Sequence, residues 1–160
     1  MIPRPYYIEQ LKRLKDKPII KILTGPRRSG KSTILQLWKN ELLACGINEN
    51  HIIELNLADL SNESLRNKKS LYDFIASKIA KGSIYYVFID EIQECPGFEK
   101  VAESLMLFGN IDLYMTGSNA YVLSGELATY LTGRYLEIKV YPFSFKEFLT
   151  TREHDEPSRE

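Results

Sequence analysis

The fold is decided by one stretch, Gly25-Pro26-Arg27-Arg28-Ser29-Gly30-Lys31-Ser32, which matches the pattern GxxxxGK[ST]. Before it, residues 18–24 form a short β-branched run that is typical of a buried strand. After it, apolar residues recur at helical spacing: Ile34, Leu35, Leu37, Trp38, Leu42 and Leu43. The pattern therefore predicts a strand, a tight loop and a helix in that order.

Each part of this loop suits the binding of phosphate groups. Glycines let the backbone curl so that consecutive N–H groups point at phosphate oxygens, and the helix that follows adds its positive end. Lys31 can reach the β- and γ-phosphates, and the Ser32 hydroxyl can ligate Mg²⁺. We predict nucleotide contacts from the whole loop and the first turn of the helix: Gly25, Pro26, Arg27, Arg28, Ser29, Gly30, Lys31, Ser32 and Thr33.

Two acidic residues, Asp90 and Glu91, directly follow the continuous apolar run Ile84–Ile89. Such a run is typical of a central strand in a parallel sheet, and parallel strands end at one common edge. We therefore expect both acids beside the phosphate-binding loop, with Asp90 as a Mg²⁺ ligand and Glu91 placed to polarise an attacking water. The simpler alternative is a strand that ends in a solvated acidic turn.

The rest of the chain repeats strands and helices. Strands are predicted over His51–Leu57, Ile111–Met115 and Tyr135–Tyr141. Ser70 is predicted to cap a helix that runs to Ala80, and a further helix is predicted over Phe98–Phe108. Strands that alternate with helical segments of about a dozen residues form βαβ units. The expected fold is α/β, a doubly wound parallel sheet of about five strands.

Two further positions are weaker candidates for the site. Thr116-Gly117-Ser118-Asn119 follows the predicted fourth strand, where neutral polar groups can orient water or contact a γ-phosphate, with Ser118 and Asn119 as the site candidates. A plain turn explains this segment almost as well. Arg134 precedes the fifth strand. It can stabilise phosphate charge within its own chain or across a subunit boundary, or it can form a structural salt bridge.

The balanced net charge hides an asymmetry along the 160 residues. Residues 1–40 hold ten Lys or Arg and two acids, which gives +8, and residues 41–160 hold the other 11 bases and 19 acids, which gives −8. A basic N-terminal region suits a polyanion, but a solvated helix face is the simpler explanation, and the better one for Lys12–Lys17. We expect a basic N-terminal helix over residues 1–17, an α/β core over 18–149 and a polar tail over 150–160.

Composition narrows the setting of the protein. The longest strongly apolar run has six residues, far fewer than the ~20 that a membrane span needs, and no secretory signal pattern follows Met1. Cys45 and Cys95 lie fifty residues apart without a CxxC motif or a nearby pair of histidines. We therefore expect a cytoplasmic protein without a disulfide framework, a zinc site or a membrane partner.

Five segments, in this order and spacing, resemble bacterial and archaeal AAA+ ATP-binding proteins of the predicted ATPase type: GPRRSGKST, YYVFIDEIQ, MTGSN, LTGR and YPFSFKEFL. The resemblance implies a P-loop NTPase fold with a five-stranded sheet of order 5-1-4-3-2. It assigns Walker A to Lys31 and Ser32 and Walker B to Asp90 and Glu91. It further assigns sensor 1 to Ser118 or Asn119 and an arginine finger to Arg134.

Members of this family usually continue into a helical or winged-helix lid and a C-terminal domain. The resemblance therefore implies the N-terminal ATPase part of a longer protein. We expect ATP and Mg²⁺ as ligands, hydrolysis coupled to a conformational change in an attached domain or partner, and a homo-oligomer if Arg134 acts across subunits. Two alternatives stay open, a P-loop small-molecule phosphotransferase and a non-catalytic, nucleotide-gated module that binds DNA or protein.

Overall fold

The computed structural model describes residues 3–118, 131 and 133–142. Four helices are described: α1 (Pro5–Leu14), α2 (Lys31–Ala44), α3 (Lys68–Ala76) and α4 (Phe98–Met106). Five strands are described: β1 (Ile20–Thr24), β2 (Ile52–Asn56), β3 (Tyr85–Asp90), β4 (Ile111–Gly117) and β5 (Tyr135–Lys139). Short 3₁₀ turns cover Glu49–His51, Leu60–Arg66 and Ile92–Glu94.

The five strands form one parallel sheet in the order β2-β3-β4-β1-β5. This confirms the predicted order 5-1-4-3-2, which is the same order read from the other side. The inner strands β1 and β4 are buried along their whole length, whereas β2 and β5 at the sides of the sheet alternate between covered and open residues. Continuous apolar strands predict this arrangement, since helices cover both faces of a parallel sheet.

Two apolar layers hold the helices on the sheet. One layer joins α1 and α2 to one face, through residues that include Leu11, Leu23, Trp38 and Tyr114. The other joins α3 and α4 to the opposite face, through residues that include Ile22, Leu71, Val87, Phe98 and Leu105. Helices on both faces confirm the doubly wound prediction. Among the described residues, no helix is long and apolar enough to cross a membrane.

Helix α3 differs most from its prediction, and the assignment of its cap to Ser70 is wrong. The helix begins at Lys68, because the Asn67 side chain accepts hydrogen bonds from the N–H groups of Lys69 and Ser70. It ends at Ala76 rather than Ala80, since the next turn tightens into bonds between residues three apart.

The other differences are confined to the ends of elements. Strand β2 begins one residue later than predicted, since Asn48 caps the 3₁₀ turn that precedes it. Strand β3 excludes the exposed Ile84 and includes Asp90. Helix α4 stops at Met106, two residues before the predicted end. The predicted tail over residues 150–160 lies outside the described residues.

Candidate functional site

The phosphate loop, residues 25–30, lies at the carboxyl edge of the sheet, where the parallel strands end. It follows Thr24 of β1, which pairs with Gly117 of β4. On the other side of β4, Met115 pairs with Ile89 of β3. The phosphate loop therefore meets Asp90, the last residue of β3, and Glu91, the residue after it, at one edge, with the end of β4 between them.

Two glycines let the phosphate loop follow its path. A Cβ atom at Gly25 would lie 2.2 Å from the carbonyl oxygen of Val140, so no side chain fits there. Gly30 adopts the left-handed conformation, with φ 93° and ψ 20°, immediately before α2. Between them, the Ser29 N–H donates to the Pro26 carbonyl at 3.2 Å. The loop curls back on itself ahead of the N–H groups that the first turn of a helix leaves free.

Lys31 reaches back across the phosphate loop. Its Nζ donates hydrogen bonds of 3.0 Å to the carbonyl oxygens of both Gly25 and Pro26, and the side chain is nearly buried. The neighbouring Ser32 is exposed, and Thr33 is half-buried. An ammonium held by neutral carbonyl oxygens can exchange them for phosphate oxygens, because an anionic acceptor forms the stronger hydrogen bond.

The remaining predicted loop residues, Pro26, Arg27 and Arg28, are exposed to solvent. Arg28 has a φ of 66°, a conformation that residues other than glycine seldom adopt. Such a backbone costs on the order of 1–3 kcal/mol and is found most often where a site requires it.

A buried hydroxyl, that of Thr116 in β4, links the two acids; the polar segment 116–119 was predicted, but Thr116 was not among its candidate site residues. Its Oγ1 donates a hydrogen bond to Oδ1 of Asp90 and accepts one of 3.0 Å from the N–H of Glu91. Glu91 itself has a left-handed backbone, with φ 56° and ψ 52°. Thr116 thus fixes the carboxylate of one acid and the backbone of the other.

Gln93 contacts the second acid directly. Its side-chain Nε2 donates a hydrogen bond to Oε2 of Glu91. Its Oε1 is buried, and no described residue donates to it. The segment YYVFIDEIQ contains this glutamine, for which the sequence predicts no role. Its contact with Glu91 depends on the 3₁₀ turn Ile92–Glu94, for which the sequence gives no clear local signal.

The candidates after β4 and before β5 lie apart from each other. Ser118 follows β4 at the carboxyl edge and is half-buried, whereas Asn119 lies outside the described residues. Arg134 precedes β5, whose first residue pairs with the first residue of β1. Arg134 therefore lies at the amino edge, where the strands begin, and forms a 2.8 Å ion pair with Glu103. The structure does not bring Arg134 together with the phosphate loop of its own chain.

Much of the basic N-terminal charge is locally paired. Lys12 of α1 lies 3.0 Å from Glu41 of α2, and Lys39 of α2 lies 2.6 Å from Glu54. Lys21 is fully buried against an aspartate. These ion pairs reduce the charge that the region offers to a polyanion, so the surface is less basic than the count of +8 implies.

The two cysteines are free thiols in the structure, Cys45 exposed and Cys95 buried. Burial, with a smaller contribution from the charge of Glu99, raises the pKa of Cys95 to about 11. This thiol therefore stays protonated at neutral pH.

The residues present fit a nucleotide with Mg²⁺. Ser29 Oγ is buried in the phosphate loop and has no hydrogen-bond partner among the described residues, as expected of a group that faces a ligand. The hydroxyl of Ser32 and the carboxylate of Asp90 are the hard oxygen donors that Mg²⁺ prefers. The described part of the chain holds no group of three or more His, Cys, Asp or Glu suited to a metal.

This chain is similar to known proteins in both sequence and fold. A family model described as an AAA domain matches residues 17–149. An uncharacterized protein of Haemophilus influenzae is 42% identical over 99% of this chain, and the match covers 40% of that protein. The uncharacterized protein MJ1544 of Methanocaldococcus jannaschii is 33% identical over 81% of this chain and 28% of its own length. This chain therefore spans less than half of the curated relatives it matches.

Similarity to solved structures concerns the fold alone. A DNA polymerase III gamma subunit-related protein from Thermotoga maritima aligns with a TM-score of 0.61 at 15% identity, over 92% of this chain and 49% of that chain. At this level of identity the shared feature is the sheet with its covering helices.

Proposed function

Because this chain belongs to the AAA domain family, we propose that it is a Mg²⁺-dependent ATPase module that couples hydrolysis to a conformational change. As an AAA module it binds ATP. The observation that carries the further step is the meeting of the phosphate loop, Asp90 and Glu91 at the carboxyl edge, across the end of β4. The longer relatives suggest that an attached domain, or a partner, receives the conformational change.

Each residue of the site has a chemical role in this proposal. Lys31 releases its two carbonyl partners and binds the β- and γ-phosphates. Ser32 and Asp90 hold Mg²⁺, which when bound neutralises charge on the phosphate oxygens. Glu91 orients and polarises the attacking water. Thr116 keeps Asp90 and the backbone of Glu91 in place through its two hydrogen bonds.

The remaining predicted residues act at the γ-phosphate or between subunits. Ser118 or Asn119 contacts the γ-phosphate or the water next to it. Arg134 acts in trans, because the length of β1 separates it from the phosphate loop of its own chain. In a homo-oligomer, Arg134 would leave Glu103 and approach the nucleotide of a neighbouring subunit, as an arginine finger does.

Thermal unfolding with and without Mg²⁺-ATP tests the binding step. Nucleotide at a hundredfold over its Kd adds about 2.7 kcal/mol of stability, which raises Tm by about 5–10 °C in a chain of this size. Lys31→Ala should abolish this shift, and Lys39→Ala, which removes the same charge from the same helix, should preserve it. A shift that survives in both variants would place the nucleotide elsewhere.

Single-turnover and steady-state hydrolysis tests the catalytic step. Glu91→Gln should keep the thermal shift with Mg²⁺-ATP and lower turnover by about 10²–10⁴-fold, the range expected when a general base is removed. Turnover equal to that of the unsubstituted chain would remove Glu91 from the mechanism and leave ATP binding untouched.

A further inference from the structure

Arg4, the residue before α1, contacts the phosphate loop from behind. Its Nη1 donates a 2.7 Å hydrogen bond to the carbonyl oxygen of Ser29, and only 2% of the residue is exposed. A Cβ atom at Gly30 would lie 3.2 Å from the same nitrogen. The guanidinium is therefore packed directly against the peptide that joins Ser29 to Gly30.

This contact fixes the direction of a backbone donor. A trans peptide is planar, and its C=O and N–H point in opposite directions. Because Arg4 holds the Ser29 carbonyl on one side, the Gly30 N–H points to the other side, away from the guanidinium. None of the hydrogen bonds of the described residues uses the Gly30 N–H. In loops of this pattern, backbone N–H groups of this kind bind phosphate oxygens.

Other contacts keep the guanidinium in this position. Arg4 Nη2 donates to the carbonyl oxygen of Tyr141 at 2.9 Å, and the guanidinium carbon lies 4.6 Å from the ring centre of Tyr7. The Tyr7 hydroxyl in turn accepts a 3.1 Å hydrogen bond from the Tyr141 N–H. Arg4 is thus anchored between α1 and the segment after β5, and its orientation does not depend on the loop alone.

We propose that Arg4 is a positioning residue that sets the affinity of the phosphate loop by aiming the Gly30 N–H at the phosphates. Its positive charge polarises the Ser29–Gly30 peptide, which makes the N–H a better donor to an anion. This proposal rests on the proposed function, since it requires a nucleotide in the loop. It predicts that Arg4 acts on the phosphates of a ligand and not on its nucleoside part.

Titration calorimetry with ADP and with adenosine separates an effect on phosphate binding from an effect on nucleoside binding. Arg4→Met should weaken ADP binding about tenfold, the loss expected for one charge-assisted hydrogen bond, and leave the Kd of adenosine unchanged. Arg4→Lys, which keeps the charge but not the planar fork, should fall between Arg4→Met and the unsubstituted chain. Arg13 is an exposed arginine of α1, so Arg13→Met is the matched control and should bind both ligands normally.

The outcomes distinguish the two proposals. An unsubstituted chain that binds no ADP overturns nucleotide binding at this loop, and the role of Arg4 with it. Normal ADP binding by Arg4→Met, or equal weakening of ADP and adenosine, overturns the positioning role alone. The thermal transition without ligand shows whether Arg4→Met folds. If it does not fold, Arg4→Lys provides the test, and an ADP affinity of Arg4→Lys equal to that of the unsubstituted chain overturns the positioning role of Arg4.

Discussion

At the amino edge of the sheet, Lys21 and Asp112 form an ion pair closed to water, whereas at the carboxyl edge Ser29 Oγ and Gln93 Oε1 are buried without a partner among the described residues. Both edges belong to the same five-stranded sheet, one at the start and one at the end of its strands. The buried charges at the amino edge are therefore paired within the chain, whereas buried oxygen atoms at the carboxyl edge have no such partner. A third buried atom without a partner among the described residues is Nε1 of Trp38, whose ring packs on Tyr114.

The amino edge cluster consists of Asp16, Lys21, Tyr86, Asp112 and Tyr114. Oδ2 of Asp112 accepts 2.8 Å hydrogen bonds from the Tyr114 hydroxyl and the Asp16 N–H. The Lys21 ammonium donates a further hydrogen bond of 2.9 Å to the carbonyl oxygen of Lys17. The Tyr86 hydroxyl donates to Asp16 at 2.7 Å. Each buried charge thus has several partners, as the burial of charge requires.

The carboxyl edge combines unpaired atoms with a strained backbone. Arg28 and Glu91 there have left-handed backbones, and two buried side-chain oxygens there have no protein partner among the described residues. Asp16 in the amino edge cluster also has a positive φ, 60°, but aspartate adopts this conformation more readily than arginine or glutamate does. Unsatisfied groups and strain reduce stability, so they persist where a ligand or a reaction uses them. The comparison teaches that the amino edge pairs its buried charges within the chain, whereas the carboxyl edge, to which we assign the chemistry, keeps buried polar atoms without a protein partner among the described residues.

The largest expected effect is at the amino edge, where Asp112→Ala would leave the Lys21 ammonium buried without its counter-ion. We expect a loss of about 3–5 kcal/mol in the free energy of unfolding, measured with urea at pH 7. Asp73→Ala, which breaks the exposed pair with Lys69, should cost less than about 0.5 kcal/mol. Asp90→Ala tests the comparison itself: a loss as large as that of Asp112→Ala would show that the two edges do not differ.

The second effect is at Ser29, whose buried hydroxyl lacks a protein partner among the described residues. Ser29→Ala should raise the free energy of unfolding by about 1 kcal/mol in the absence of nucleotide, because it removes the desolvation cost of that hydroxyl. The exposed Ser64→Ala is the control and should change stability by less than about 0.5 kcal/mol. A destabilised Ser29→Ala chain would mean that the hydroxyl is satisfied when no nucleotide is bound.

The third effect concerns the backbone of Glu91. Since its φ is 56°, Glu91→Gly should be about 1 kcal/mol more stable than Glu91→Ala in thermal or urea unfolding. The same pair of substitutions at Glu94, in the 3₁₀ turn that follows, should give the opposite order, because there alanine fits the backbone. If the glycine variant were the more stable of the pair at both positions, or the alanine variant at both, Glu91 would not have a strained backbone.

The parts of the fold that the sequence predicted are those whose signal lies in consecutive residues. The loop from Gly25 to Ser32 and the apolar strand before Asp90 carry their signal in consecutive residues, so the strands, the site edge and, with the family resemblance, the sheet order were predicted. The cap at Ser70 was wrong because Asn67, three residues earlier, competes for the same role with a better-placed side chain. Local signals of this kind overlap at the ends of elements.

The rest of the site depends on contacts between residues distant in sequence. Thr116 contacts both acids because of its position in β4 beside the end of β3, and the sequence of a single strand does not encode that pairing. Arg4 meets Ser29 across 25 residues, and Lys21 meets Asp112 across 91. Lys21 was counted with the basic region because a lysine within an apolar strand gives no local indication of its partner.

The smallest expected effect is a pH dependence at Asp16, in the amino edge cluster. Burial alone would favour its neutral form, but hydrogen bonds from Lys15 and Tyr86 hold the pKa of Asp16 below its ordinary value. Burial, with the nearby charge of Asp16, raises the pKa of Tyr86 to about 12, so this phenol remains a donor well into the alkaline range.

A group whose pKa is lower in the folded chain than in the unfolded chain stabilises the fold when ionised. Ionised Asp16 therefore contributes above its unfolded pKa of about 4, and the contribution disappears as the pH falls through its folded pKa. Asp16→Asn should cost less than about 1 kcal/mol between pH 5 and pH 9, since the side chain is partly exposed, and the difference from the unsubstituted chain should shrink below pH 4. Urea unfolding at a series of pH values measures this difference. A difference that grows on acidification would mean that Asp16 enters the fold as a neutral acid, and the amino edge would then hold an uncompensated group of its own.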